Sequence, residues 1–370
     1  MNSVKKVKTF ISILSSKSVF ILLIFTILLC GCSEQKSKNV THNIISKKDI
    51  VPKQSGKKNF KNSLLFTGNN HQINQVVRTV FQDSKRNLWF GTESGAFKFN
   101  GDTLIYIHQI KNNIGKGVTI KAITESKDGK IWLGHTGGIS SVKGELVKNY
   151  YQTDGLISND VWCITADVNG GIWVGTTNGV CVFDGQQFLN FELPKGKIDP
   201  TKGVSTSKMV HHILEDSKGT MWFSSNAGLF SYANHKLMDV SKKFGIKTKF
   251  VNEVFEDKSG ELWISTKKGL YHLQKDNITN ITEGKIKNGK GIGSIAEDKD
   301  GKIWFVSNQH FLYTYDREKL TEYQKTEENK GPAVFQIYKD YNDRLWFVGF
   351  GGAYRLENGK FLNITKNGPW

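Results

Sequence analysis

Proline and cysteine are scarce in this chain of 370 residues, with 5 and 4 respectively. So few prolines exclude a Pro-rich linker. Two of the cysteines, Cys30 and Cys32, close an N-terminal apolar run, which leaves only Cys163 and Cys181 for the rest of the chain. After residue 32 no stretch has the roughly 20 apolar residues that a membrane-crossing helix needs. An Arg-rich stretch, a nucleic-acid-binding motif and the clustered oxygen ligands of a calcium loop are also missing. Nucleic acid is therefore not an expected partner. The net charge of +17 does not change this. Much of it lies in Lys-rich residues 1–62, and residues 63–370 hold 39 basic against 32 acidic side chains, a surplus of 7.

Glycines and aromatic rings are abundant by contrast: 37 Gly, and 12% Phe, Trp and Tyr. They recur in register. Trp89, Trp132, Trp173, Trp222, Trp263, Trp304 and Trp346 are spaced by 43, 41, 49, 41, 41 and 42 residues. Each is set in the same phrase: an apolar run, an acidic turn, the Trp between apolar neighbours, a small residue, and usually a Gly six positions on. A period in the low forties with several short strands per unit predicts an all-β, seven-bladed β-propeller with four antiparallel strands per blade.

Positions counted from the Trp give the logic of one blade. Position −12 is apolar throughout (Val77, Ile120, Val161, Val210, Val251, Ile292, Val334), and so is −9 (Val80, Ile123, Ile164, Ile213, Val254, Ile295, Ile337). In a regular strand these lie on opposite sides, which predicts an inner strand buried on both faces. Position −6 is Asp in six blades and Ser126 in the other, and −3 is Gly except at Arg86 and Asp343. A carboxylate that caps its own turn and a residue with positive φ account for both. Cys163 and Cys181 fall in the first and third strands of blade 3, roughly 9.5 Å apart, too far for a disulfide. At the ends, Leu64-Leu65-Phe66 resembles a fourth strand ahead of blade 1, while Phe361-Leu362-Asn363-Ile364 gives blade 7 a fourth strand of its own. Either segment could close the ring.

The first 32 residues read as an address. Lys5, Lys6, Lys8 and Lys17 precede the uncharged run Val19–Leu29, followed by Leu29-Cys30-Gly31-Cys32. A basic region, a short apolar region and a small-residue cleavage site make a secretory signal. The last four residues resemble a lipobox, in which the Cys becomes lipid-modified; Cys30 stands where Ala or Ser is more usual. The predicted organisation is a lipoprotein signal peptide over 1–31, lipidated Cys32 and a disordered Lys-rich tether over 32–62, and the propeller over 63–370. The expected location is the bacterial cell envelope, lipid-anchored at the outer membrane.

The repeated phrase, as in Val251-x-x-Val254-x-x-Asp257-x-x-Gly260-x-Leu262-Trp263-Ile264-Ser265-Thr266-x-x-Gly269-Leu270-Tyr271, resembles the two-component regulator propeller repeat, across all seven units. That resemblance implies an extracytoplasmic propeller and the sensing of a glycan or small ligand. In that family such propellers precede a β-sandwich, a transmembrane helix and a kinase. None follows Trp370, so a stand-alone propeller lipoprotein is expected. The phrase is more distantly similar to that of the virginiamycin B lyase group, which implies His and Glu residues around a magnesium ion. Here His135, His211, His212, His235, His272 and His310 are scattered, with no His-x-Glu unit at an equivalent blade position.

Repeats also show where function would sit. Scaffold positions agree between blades, whereas binding positions are free to differ. Position −11 reads Arg78, Lys121, Trp162, His211, Asn252, Gly293 and Phe335 beside nearly constant neighbours. Cations, an indole, a phenyl ring and hydrogen-bonding groups around one channel mouth suit an anionic or sugar-like ligand. The candidate binding residues are thus Arg78, Lys121, Trp162, His211, Asn252 and Phe335. The insert Pro194–Ser207, which lengthens the 49-residue interval, would overhang the same face. The expectation is a non-catalytic binding, sensor or scaffold protein without metal or cofactor, partnered by the membrane, by a small ligand or glycan, and by another envelope protein. A metal-dependent lyase or hydrolase is the alternative.

Overall fold

A computed structural model describes residues 72–366 and 368, except 199–203, 287–290 and 324–329. The signal peptide, Cys32, the tether, the domain boundary at 63 and Leu64–Phe66 lie outside the described residues.

Seven four-stranded antiparallel sheets follow one another along the chain. In each, strand order in space equals order in sequence, so every blade is a meander. The inner strands are Val77–Gln82, Ile120–Glu125, Val161–Ala166, Val210–Glu215, Val251–Glu256, Ile292–Glu297 and Ala333–Lys339. The Trp-bearing second strands, such as Leu262–Thr266, are buried along their whole length in six blades, and in blade 7 up to the last residue. Neighbouring inner strands pack together all the way round, from blade 1 through blade 7 and back to blade 1. The seven-bladed propeller expected from the repeats is therefore the fold.

Blade 7 supplies its own fourth strand, Lys360–Asn363. The two ends of the propeller then meet directly: Ile73 N–H donates to Thr365 O at 2.9 Å, and Ile73 and Ile364 share one core cluster. On the inner side, Val80 N–H donates to Gln336 Oε1 at 2.7 Å and Gln82 N–H to Tyr338 Oη at 3.0 Å.

Two readings of the blade change. First, the register of every inner strand against its second strand shifts at the −11 position. Val77 faces Thr92 and Thr79 faces Gly91, so Arg78 is an extra residue, and the same occurs at Lys121, Trp162, His211, Asn252 and Phe335, and near Gly293. This is a β-bulge. Because one residue is unpaired, positions −12 and −9 point to the same side of the sheet, not to opposite sides. The burial pattern agrees: −12 and −9 are buried in every blade, and most others in the strand are half-buried.

Second, the −6 carboxylate does more than cap its turn. Its Oδ1 accepts the N–H groups of −4 and −2, as Asp216 does from Lys218 at 3.0 Å and Thr220 at 2.8 Å. Its Oδ2 accepts the indole N–H of the blade's own Trp, at 2.7 to 2.8 Å in all six Asp blades. In blade 2, Ser126 Oγ takes that role for Trp132 at 3.1 Å. A buried indole N–H needs an acceptor, and the turn carboxylate provides it. Arg86 and Asp343, which replace Gly at −3, adopt the same positive φ, 69° and 59°.

A third repeated contact ties blade to blade. The −7 side chain accepts the N–H of position −5 in the preceding blade: Glu125 from Ser84, Glu215 from Val168, Glu256 from Ser217 and Glu297 from Lys258. Gln82 does the same for Tyr341 at 2.8 Å, across the junction that closes the ring.

Candidate functional site

The bulge explains why position −11 is free to vary. An unpaired residue at the start of the inner strand turns its side chain out of the ladder and along the rim, toward a neighbouring blade. Four of the six predicted residues are brought together in this way. Arg78 of blade 1 sets its guanidinium carbon 4.3 Å from the Phe335 ring of blade 7 and 5.9 Å from Phe350. The Nη2 of Arg78 also pairs with Glu93 at 2.6 Å, while its Nε is buried without a hydrogen-bond partner. Lys121 of blade 2 places its ammonium 3.9 Å from the Trp162 ring centre of blade 3 and 2.5 Å from Asp160. The Trp162 indole donates to the other oxygen of Asp160 at 3.1 Å. Burial is the main reason the Lys121 ammonium has a lowered pKa, and Arg78 lowers it further, against the pull of Asp160. The two cations thus feel each other, and Phe335, Arg78, Lys121 and Trp162 form one arc over blades 7, 1, 2 and 3.

The other two candidates are tied elsewhere. His211 Nε2 bonds Asn226 Oδ1 at 2.7 Å and its ring lies 4.6 Å from Phe250. Asn252 donates to the carbonyl of Ile292 in blade 6. The described ends of the insert do lie on this face: Asn226 donates to Ser205 and Thr206, and Gly196 fits only because it has no Cβ, which would come 2.1 Å from Asn226 O. Asp199, Pro200, Lys202 and Gly203 fall outside the described residues. Each aromatic ring of the arc has a cation over one face, and each cation has a carboxylate. Such cation–ring contacts are worth about 0.5–2 kcal/mol depending on solvent exposure.

Residues that sequence reasoning did not single out line the channel. In blades 5, 6 and 7 the position −10 side chain accepts the free edge N–H of the next inner strand. Gln336 serves Val80, Ser294 serves Ile337 at 3.2 Å, and Glu253 bonds Ser294 and the Ile295 N–H. Burial pushes the Glu253 carboxyl up to about 8, and the neighbouring His212 in blade 4 down to about 4. The thiols of Cys163 and Cys181 are free and buried, and burial raises both pKa values, so neither is an activated nucleophile.

At the opposite end of the blades, Asp257, Glu261 and His272 each present a ligand atom within 4.8 Å of the others. Arg317 already bonds Asp257 at 2.9 Å and Glu261 at 3.1 Å, and His272 bonds Glu261 at 2.8 Å while stacking on Trp263 at 4.0 Å. The trio is therefore satisfied as an ion-pair network. A divalent cation would have to displace the guanidinium.

The fold and its rim define a closed repeat scaffold with a varied, bulge-built mouth. The two-component regulator propeller family matches the chain at residues 71–94, 155–178 and 205–227. Those three segments cover the inner and Trp-bearing strands of blades 1, 3 and 4. The extracellular domain of BT3049 from B. thetaiotaomicron, a hybrid two component system by its description, is 19% identical, with a TM-score of 0.59 over 79% of this chain and 47% of that one. The corresponding domain of BT4673 from the same organism is 18% identical, with a TM-score of 0.60 over 76% of this chain and 38% of that one. The chain thus spans less than half the length of these two domains. Virginiamycin B lyase from Staphylococcus aureus is 16% identical, with a TM-score of 0.60 over 77% of this chain and 95% of the lyase. At these identities the likeness is one of fold. No curated protein matches the sequence.

Proposed function

We propose that this propeller is a non-catalytic ligand-binding or sensor module of the bacterial envelope, anchored by lipid on Cys32. In this reading its mouth takes an anionic small molecule or glycan and presents the bound state to another envelope protein. One observation carries the reading: the arc Phe335–Arg78–Lys121–Trp162, in which Arg78 keeps a buried Nε without an acceptor. A buried donor left unpaired is costly, and a ligand oxygen would satisfy it. An anionic group would compete with Glu93 and Asp160 for the two cations. Drawing either cation off its ring would uncover Phe335 or Trp162 for stacking, worth on the order of 1–3 kcal/mol per ring. Repeats shared with a sensor family and the secretory signal support the extracytoplasmic setting.

The test is a glycan and metabolite screen by thermal shift, followed by titration of Arg78→Ala and Trp162→Ala. Each variant should bind any hit roughly one to two decades more weakly, with little change in melting temperature. A hit that both variants bind as well as wild type would place the site elsewhere. The lyase or hydrolase alternative has one feature in its favour, the Asp257–Glu261–His272 trio. Metal analysis of the purified protein tests it: stoichiometric metal lost in His272→Ala would support that alternative.

A further inference from the structure

The rim at position −11 is not the only place where varied side chains gather between blades. At the opposite end of the blades, where the first-to-second and third-to-fourth strand turns emerge, two clefts occupy equivalent places. One lies between blades 2 and 3, about 790 Å³, the other between blades 5 and 6, about 730 Å³. Their scaffold positions are the same and their chemistry is opposite. Position −2 is Lys130 in the first and Glu261 in the second. Position +9 is the small Ser141 against His272, and +11 is Lys143 against Gln274. In the second cleft, His272 and Arg317 lie over Trp263 and close an ion-pair network. Neither filling exists in the first.

We infer that the cleft between blades 2 and 3 is a second ligand site, for a small organic anion with an apolar body. Four lysines line it, Lys127, Lys130, Lys143 and Lys148, against a single acid, Asp128. Asp128 is already shared by Lys130 at 2.8 Å and Lys143 at 3.6 Å. Among the described residues Lys148 lies against the Tyr150 ring at 4.6 Å without an ion pair, and Lys127 has no ion pair either. Both are exposed at the rim, so their charge is available to a ligand. The floor is apolar, made by Trp132, Tyr150, Ile172 and Phe183, and Leu146 stands 78% exposed at the edge. Lysines around an apolar floor match a carboxylate, sulfonate or phosphate joined to a flat or aliphatic body. Lysine binds such groups as a point charge and imposes no bidentate geometry, so the class is set by charge and shape. This site is independent of the mouth, at the other end of the same strands.

The test is calorimetric titration of the propeller with naphthalene sulfonate, against two partial probes: inorganic sulfate and naphthalene methanol. The sulfonate should bind saturably at one site, at least about tenfold more tightly than either partial probe, and its affinity should fall as salt screens the lysines. Lys127→Gln/Lys148→Gln should weaken it about tenfold or more, and the charge-reversing Glu pair further. These side chains are exposed, so melting temperatures should stay unchanged. Lys299→Gln, at the position in blade 6 equivalent to Lys127, and Arg78→Ala at the mouth should leave the affinity as in wild type. The inference is overturned by no saturable binding at millimolar probe, by equal binding of the neutral alcohol, or by a Gln pair that binds like wild type.

Discussion

Replacing Asp216 by Ala removes three hydrogen bonds at once: those from Lys218 N–H, from Thr220 N–H and from the Trp222 indole. Asp216 is 9% exposed and Trp222 7%, so water replaces the acceptor poorly. Hydrogen bonds to a charged group contribute about 1.5–3 kcal/mol each, and their losses here are not additive because the turn relaxes as a unit. A net cost of about 3–5 kcal/mol is expected, a large share of the stability of an ordinary domain. Blade 2 supplies the internal control. Ser126 keeps the indole bond there with a hydroxyl alone, and Asp128 accepts the Ser126 O–H at 2.6 Å. Asp216→Ser should therefore retain the Trp222 contact, lose the turn bonds, and cost about 1–2 kcal/mol. Equilibrium urea unfolding at neutral pH measures both, provided the m-values match wild type. A cost under about 1 kcal/mol for the Ala variant, or equal costs for Ala and Ser, would refute the view that the turn carboxylate holds the indole.

Three further outcomes are expected. Cys163 and Cys181 should resist thiol reagents in the folded protein and both react after unfolding without reductant, because both are buried and free; a count of zero would mean they are bridged. Labelled palmitate should enter wild type in a bacterial host and not Cys32→Ala, given the sequence Leu29-Cys30-Gly31-Cys32; equal labelling of both would remove the anchor. Glu253 gives a pH signature. In the unfolded chain its carboxyl ionises near pH 4, and in the channel it holds its proton to about 8. Between those values only the unfolded state releases the proton, so wild-type stability falls relative to Glu253→Gln as pH rises, and the gap levels off above about 8. Parallel stability curves for the two proteins would contradict the channel environment assigned to Glu253.

Blade count, strand count and turn chemistry were legible from the Trp ladder because they repeat and are local. Direction was not. A strand of alternating residues gives −12 and −9 opposite faces, and only the pairing of Val77 with Thr92 and Thr79 with Gly91 reveals the extra residue that aligns them. The same bulge explains the variability at −11, which the sequence displayed without its cause. Partners across blades were equally hidden, since Glu256 and Ser217 are 39 residues apart and meet only when two blades pack. Glu recurs at −7 in four blades, at Glu125, Glu215, Glu256 and Glu297, and that recurrence was the available signal for the inter-blade bonds. At the mouth, residue types were readable, but the pairing of Arg78 with Phe335 joins residues from the two ends of the propeller sequence, which only ring closure brings together.

The binding role of the mouth is tested most directly by hydrogen exchange on the propeller, with and without the tightest-binding compound of the glycan and metabolite screen. Protection should concentrate where the inner strands of blades 7, 1, 2 and 3 begin, around residues 333–336, 77–80, 120–123 and 161–164, and should vanish at the same concentration in Trp162→Ala. Protection confined to the turns at the other end of the blades, around 126–130 or 257–261, or no protection anywhere with the ligand saturating, would contradict it.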